Sequence, residues 1–299
     1  GIQGSNVFII RRIVLHYRPL FKCKWRNVFR MNAQILDAIK KPSDVQLLSQ
    51  NQLTQLASEI REFLISTISK TGGHIGANLG VIELTIALHH CFNFELQPLL
   101  FDVGHQGYTH KLLTGRKDDF STLNEFKGMS RFITNKESEY DILDSSHAGT
   151  VIAISSGMAH ARKQDDINMP VVAIIGDGSL VEGMSFEGLN FACENPLPLI
   201  IIINDNGMSI PENVGGIHNL FEGKNWQDKS RAWFEGMGFS YESVSDGHDF
   251  TKLIEALSKA IDHVKSKTVI VHVKTEKGKG LELAKKHPYK MHFSMPFDP

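Results

Sequence analysis

Two short apolar runs in this sequence end on oxygen-bearing side chains. Residues 171–175, Val-Val-Ala-Ile-Ile, lead into Gly176-Asp177-Gly178-Ser179. Residues 199–203, Leu-Ile-Ile-Ile-Ile, lead into Asn204-Asp205-Asn206-Gly207-Met208-Ser209. A carboxylate, an amide oxygen and a backbone carbonyl are hard ligands suited to Mg²⁺, which favours octahedral oxygen and usually adds phosphate oxygens and water. Asp177 and Asn206 are the expected side-chain ligands, with Met208 offering its carbonyl. Glycines beside them let backbone approach a ligand closely. Taken singly, Gly-Asp-Gly and Asn-Asp-Asn-Gly read as ordinary turns. Their joint spacing argues for more. Twenty-five residues separate Gly178 from Asn204, enough for one crossover helix, which sets the two turns side by side on one edge of a sheet.

The elements that must hold these turns are legible as pattern. From Asp44 onward Leu53, Leu56, Ile60, Leu64 and Ile68 recur at helical intervals on one face, and Thr71-Gly72-Gly73 ends the run. Residues 171–175, 199–203 and 268–273 are strands by length and β-branched composition, with helical stretches between them. Alternation of this kind predicts an α/β doubly wound parallel sheet with helices on both faces. Ligands of such sheets lie beyond the carboxyl ends of the strands, where both turns occur. The expected organisation is a basic extension over residues 1–43 and one domain over residues 44–299.

Composition excludes several classes. A net charge of -1 with 22% charged residues gives no field to recruit nucleic acid or acidic lipid, so small molecules or proteins are the expected partners. Cys23, Cys91 and Cys193 have no C-x-x-C spacing, which suggests neither a zinc site nor a disulfide framework and fits a cytoplasmic setting. The longest apolar run, residues 197–203, is far short of the roughly 20 residues a membrane-spanning helix needs. Residues 1–31 carry seven Arg or Lys and no acid, the composition of an organelle transit peptide, although an unrelated extension ahead of Met31 is the favoured reading.

With the turns come further blocks, in order: Gly72-Gly73-His74, Val81-Ile82-Glu83-Leu84-Thr85, Asp102-Val103-Gly104-His105-Gln106, His110-Lys111, Leu113-Thr114-Gly115-Arg116, Glu137-Ser138-Glu139-Tyr140-Asp141, Glu212-Asn213-Val214-Gly215, Asp246-Gly247-His248-Asp249 and Phe297-Asp298-Pro299. On these residues the chain resembles the thiamine diphosphate enzymes, most of all the amino-terminal domain of 1-deoxyxylulose-5-phosphate synthase, with transketolase next. The resemblance runs from about Ser69 to Pro299. It implies thiamine diphosphate and Mg²⁺ as cofactors, with Gly176, Asp177, Gly178, Ser179, Asn206 and Met208 around the diphosphate and metal. It also implies that His74 and His105 face the reacting carbon, that His147 lies near the diphosphate, and that His292 reaches the substrate. Imidazole suits such chemistry because it can donate to phosphate or substrate oxygens and exchanges protons near neutral pH. Gly149, ahead of the helical stretch from Val151, is placed to offer backbone N–H to an anion. Lys277 would add a point charge to the diphosphate or substrate. Glu182 and Glu187 read as ordinary helix surface.

The pattern departs in places. The family synthase has Gly-His-Ser-Ser where this chain has Ser146-His147-Ala148-Gly149, lacks the short bridge of residues 216–231 in favour of a long insertion, and carries tyrosine at the position of Leu281. The family's pyrimidine-binding domain, with the glutamate that activates the cofactor, has no counterpart before Pro299. The expectation is therefore a separate subunit carrying it, in an α2β2 heterotetramer. The assembled enzyme would move a two-carbon unit from a 2-oxo acid such as pyruvate, or from a ketose, to an aldehyde. A split transketolase, a 2-oxo acid dehydrogenase α chain and a non-catalytic cofactor-binding regulator are the rival readings.

Overall fold

The computed structural model describes residues 34–194 and 196–299. The basic segment 1–31, and with it the transit-peptide reading, lies outside the described residues.

Five strands, β1 (Leu99–Phe101), β2 (Val171–Gly176), β3 (Leu199–Asp205), β4 (Ser240–Val244) and β5 (Val269–Lys274), form one sheet in the order β1-β2-β3-β5-β4. Every pairing is parallel. The strands are almost continuously apolar because both faces are covered. Val172, Ile174, Ile200, Ile202, Val269 and Val271 turn to a core shared with the helices Gln50–Thr71, Ile82–Cys91 and Phe250–His263. Val171, Ala173, Ile175, Leu199, Ile201, Ile203 and Ile270 turn to a second core under the helices Val151–Gln164, Gly183–Glu194 and Trp226–Met237. The period of two along each strand thus sorts side chains between two helical layers, and each fully buried Val or Ile contributes roughly 1.5–3 kcal/mol. This is the doubly wound α/β architecture expected from the sequence.

The helix Gln50–Thr71 starts at a capping box between Ser49 and Gln52 and ends at Gly72 (φ 71°). Its predicted face, Leu53, Leu56, Ile60, Leu64 and Ile68, is wholly buried. Ile35, Leu36 and Ile39, from the segment assigned to the basic extension, are buried in the same core. Asp249 caps the helix Phe250–His263 by accepting from the N–H groups of Thr251 and Lys252. Among the described residues no helix is long and apolar enough to cross a membrane.

Register aligns the strand ends. Gly176 lies opposite Asn204, Asn204 opposite Val273, and Asp205 opposite Lys274. The turns after β2, β3 and β5 therefore emerge side by side at one edge, where the chemistry-bearing residues are set.

Candidate active site at the carboxyl ends of the strands

A cavity of about 360 Å³ opens along this edge, within the size range of small-molecule sites. Its floor is Gly176, Asp177, Gly178 and Ser179 from the β2 turn with Asn204, Asn206 and Met208 from the β3 turn. Lys277, from the turn after β5, and His74, His105 and His292 complete it. Ten of the residues singled out in the sequence thus share one cavity: His74, His105, Gly176, Asp177, Gly178, Ser179, Asn206, Met208, Lys277 and His292.

Asp177 is the carboxyl group at the centre of the floor. Its Oδ2 accepts from Gly207 N and Asn213 Nδ2, each at 2.8 Å. Its Oδ1 is buried and has no partner. Gly207 has φ 73°, a left-handed value that points its N–H at the carboxylate and that a side chain would strain. Burial first, and then the neighbouring Asp205 carboxylate, raises the Asp177 pKa well above the ordinary carboxylate value. Asp205 stays ionised. Burial pushes it upward, but His272 Nε2 at 2.6 Å and Lys274 Nζ at 2.8 Å outweigh this and hold it below the usual range. A buried carboxylate with one bare oxygen beside an ionised neighbour suits a cation. Asn206 Oδ1 accepts Met208 N–H at 3.0 Å and keeps a second lone pair for a ligand. Among the described residues no group of three His, Cys, Asp or Glu could hold a metal alone. A cation here would draw on Asp177, Asn206, backbone carbonyl and the oxygens of its own ligand.

The same end suits a diphosphate. A Cβ on Gly176 would meet nothing within 4 Å, so its backbone stands open to a ligand. The Lys277 ammonium is buried, bonds Ser209 O at 2.6 Å, and is lowered to about 8 chiefly by burial. It is within reach of an anion at low dehydration cost.

At the other end three imidazoles face one another. Ring centroids lie 5.4 Å apart for His74 and His105, 5.5 Å for His74 and His292, and 5.1 Å for His105 and His292. Each has a buried Nδ1 without a partner. An antiparallel bridge between Gly73 and Ser294, together with Gly76 N–H on Met291 O at 2.9 Å, brings His292 to His74. Gly76 permits this, since a Cβ there would sit 1.9 Å from Lys290 O. Burial, then the charges of His292 and Arg131, lowers His74 to about 3. Burial and Lys277 lower His292 to about 4, and burial with its neighbours lowers His105 well below 6.5. All three are neutral at pH 7, able to accept as well as donate.

This has a stability consequence. A histidine whose folded pKa is depressed binds fewer protons folded than unfolded, so stability falls as pH drops from 6.5 toward the folded value. We expect His74→Gln to gain about 2 kcal/mol relative to the parent chain between pH 7 and pH 4.5, read from urea denaturation at each pH. A constant difference across that range would show that His74 is not held neutral by burial.

Two expected residues are placed otherwise. The N–H of Gly149 is not free for an anion, because Asp102 Oδ2 accepts it at 3.1 Å while Asp102 Oδ1 accepts those of Thr150 and Val151 at 3.1 and 3.2 Å. The helix start is already capped by a protein carboxylate. His147 is exposed; its neighbours Ser146 and Ala148, and not its own ring, line the cavity.

Other residues in or near the site had no role assigned to them from sequence. Val103 has φ 60°, rare for a β-branched residue, in a tight turn where Gly104 N–H donates to Asp102 O at 2.7 Å. Strain of this kind costs on the order of 1–3 kcal/mol and clusters at functional sites. Gln106 Oε1 accepts from Asn204 Nδ2 at 3.1 Å, which ties the β1 turn to the β3 turn. Glu182 lines the cavity at the Gly149 corner, where a Cβ on Gly149 would lie 2.4 Å from its own Cβ. Arg131 stands 5.4 Å over the Phe293 ring, which packs edge-on to His74. Leu281, at the position of the family tyrosine, is buried in the core. Lys111, Arg116, Glu137 and Asp141 form a largely buried ion-pair network, to which His110 adds a hydrogen bond on Asp141, so their chemistry is spent on structure.

A parallel sheet with a cavity across the ends of its central strands defines an α/β domain similar to that of transketolases. Transketolase from Campylobacter jejuni subsp. jejuni matches with a TM-score of 0.67 at 22% identity, over 82% of this chain and 40% of that one. Transketolase from Leishmania mexicana matches with a TM-score of 0.67 at 20% identity, over 82% and 39%. In sequence the likeness is narrower. The family model described as 1-deoxy-D-xylulose-5-phosphate synthase matches residues 36–231. The 1-deoxy-D-xylulose-5-phosphate synthase of Lachnoclostridium phytofermentans is 42% identical over 89% of this chain and 48% of its own length. That of Myxococcus xanthus is 44% identical over 83% of this chain and 42% of its own. The chain belongs to the 1-deoxy-D-xylulose-5-phosphate synthase family, and it spans about half the length of the curated relatives it matches.

Proposed function

We propose that this chain binds the diphosphate end of thiamine diphosphate, with Mg²⁺, in the cavity at the strand ends, and serves a 1-deoxyxylulose-5-phosphate synthase-type transfer of a two-carbon unit from a 2-oxo acid such as pyruvate, or from a ketose, to an aldehyde. The observation that carries the reading is one cavity with the bare Asp177 oxygen, open Gly176 backbone and Lys277 at one end and three neutral imidazoles at the other. Asp177, Asn206 and the Met208 carbonyl would hold the metal, and Lys277 the diphosphate. Bound, the cofactor supplies the electron sink for the two-carbon unit. His74, His105 and His292 orient substrate oxygens and exchange protons with them, a role open to imidazoles that are neutral and unpartnered at Nδ1. Glutamate activation of the cofactor comes, in this reading, from a separate pyrimidine-binding subunit in an α2β2 assembly.

Isothermal titration of the chain tests the binding. Thiamine diphosphate should bind only with Mg²⁺, and thiamine, which has no diphosphate, on the order of 100-fold more weakly, as expected for loss of charge-assisted contacts. Metal-independent binding, or equal affinity for thiamine, would overturn the assignment of this end of the cavity.

A further inference from the structure

Lys277 lies in a turn beyond β5, with no strand to fix it. Thr275 ties the start of that turn to β3, its N–H on Asp205 O at 2.8 Å and its hydroxyl on Asn204 Oδ1 at 2.6 Å, and three further contacts hold the rest. Gly278 N–H donates to Gly76 O at 2.8 Å. Arg61 Nη1 bridges two carbonyls, Leu79 O at 3.0 Å and Lys279 O at 2.9 Å. Glu276, the residue before Lys277, donates its N–H to His248 Nε2 at 2.9 Å. His248 is held in turn, its Nδ1 lying 2.9 Å from Glu83 Oε2, while Glu83 Oε1 takes Arg61 Nη2.

The tautomer follows from these partners. A backbone N–H can only donate, so Nε2 must be the bare acceptor and the proton sits on Nδ1, facing a carboxylate that can only accept. Glu83 and Arg61 come from the two helices beneath the turn, so the imidazole transmits their fixed position to the residue beside Lys277. Arg61 Nη1 closes the same circuit from the far side of the turn. The Lys277 ammonium then reaches Ser209 O across the cavity at 2.6 Å.

We propose that His248 is a positioning residue for Lys277, setting the turn that aims this ammonium into the diphosphate end of the cavity through the Glu276 N–H. The inference rests on the assignment of Lys277 under the proposed function. His248 itself is absent from the cavity lining, so any effect it has on cofactor binding is indirect, and the Glu276 N–H is its direct link to the residue beside Lys277.

Two measurements test it. The first needs no cofactor: Nζ of Lys277, assigned with Lys277→Met, is titrated by NMR in the chain labelled with ¹⁵N-lysine. In the parent it should titrate at about 8; in His248→Ala, with the turn released to water, it should move toward 10.5. His248→Gln keeps one donor for Glu83 and one acceptor for Glu276, and should titrate like the parent. The second is a double-mutant cycle on Mg²⁺-dependent thiamine diphosphate affinity. Lys277→Met and His248→Ala should each weaken binding about 10-fold, and the double variant no more than Lys277→Met alone. Should His248→Ala not fold, His248→Met fills the space without offering an acceptor and replaces it. An unmoved Lys277 titration, or losses that multiply in the double variant, would overturn the positioning role. If the parent does not bind thiamine diphosphate, the functional reading fails on its own, and the NMR titration still decides whether His248 aims Lys277.

Discussion

Asp177→Asn should abolish most Mg²⁺-dependent thiamine diphosphate binding and, at the same time, raise the melting temperature of the unliganded chain. The two effects have one cause. Asp177 is buried beside the ionised Asp205, with Oδ2 satisfied by Gly207 and Asn213 and Oδ1 bare. Without a cation its charge is a liability. Its folded pKa lies above its unfolded value, so the folded state binds the extra proton and stability falls as pH rises from about 3.8 through the raised value. An amide keeps an oxygen for Gly207 and Asn213 and removes the charge. The unliganded variant should therefore melt higher at pH 8, by about 2–4 °C for each kcal/mol relieved, with a smaller gain near pH 4. Binding moves the other way. Loss of the one anionic metal ligand should weaken thiamine diphosphate roughly 100-fold in the presence of Mg²⁺, about 3 kcal/mol. Differential scanning calorimetry of the unliganded chain and titration calorimetry with cofactor read the two arms separately. Affinity within threefold of the parent would remove Asp177 from the metal site, and an unliganded melting point below the parent would remove the unpaired-charge argument.

The parts of this site that sequence reveals are those governed by local rules. Residues 171–175 and 199–203 are fully buried on both faces, so composition alone marks them as strands, while β3 runs two residues further, through Asn204 and Asp205, because the ladder to β5 continues to Lys274. The helix Gln50–Thr71 was legible because its five apolar positions keep helical spacing and Gly72 takes a left-handed φ. The strand β1, three residues long, carries too little pattern to be recognised. The edge strand β4 alternates Ser, Tyr, Glu, Ser and Val with only Tyr241 and Val244 buried, which reads as loop until β5 is beside it. Contacts across long stretches of chain were hidden altogether. Nothing local to Gly149 announces that Asp102 will occupy its N–H, so a helix start that looked free for an anion was already capped. The resemblance placed His147 near the cofactor by position in a motif, but a motif fixes neighbours in sequence and not the direction of a side chain. Glu182 looked like helix surface because its exposure is real; the cavity edge runs past it.

Turnover by residues 1–299 alone should be at most about a thousandth of that reached when a polypeptide carrying the pyrimidine-binding domain is added, a gap in the range that a positioned acid or base supplies. The argument comes from the lining. Among the described residues the acids on the cavity are Asp177 and Glu182, both in the segment 177–182 at the floor and the Gly149 corner. The imidazole end has His74, His105 and His292, all neutral and unable to serve as a carboxylate. Beside Glu182 in the chain the apolar side chains of Val181 and Met184 stand exposed, surface that a partner polypeptide would cover. The measurement is a pyruvate-dependent assay of the chain alone, of the partner alone and of the mixture, each saturated with thiamine diphosphate and Mg²⁺, with the mass of the active species read by light scattering. Restoration in the mixture with an α2β2 mass supports the separate subunit. If the chain alone turns over at an ordinary enzymatic rate, roughly 1–10³ s⁻¹, the activating carboxylate is its own. Glu182→Gln then becomes the decisive variant, because among the described residues it is the one lining acid besides Asp177.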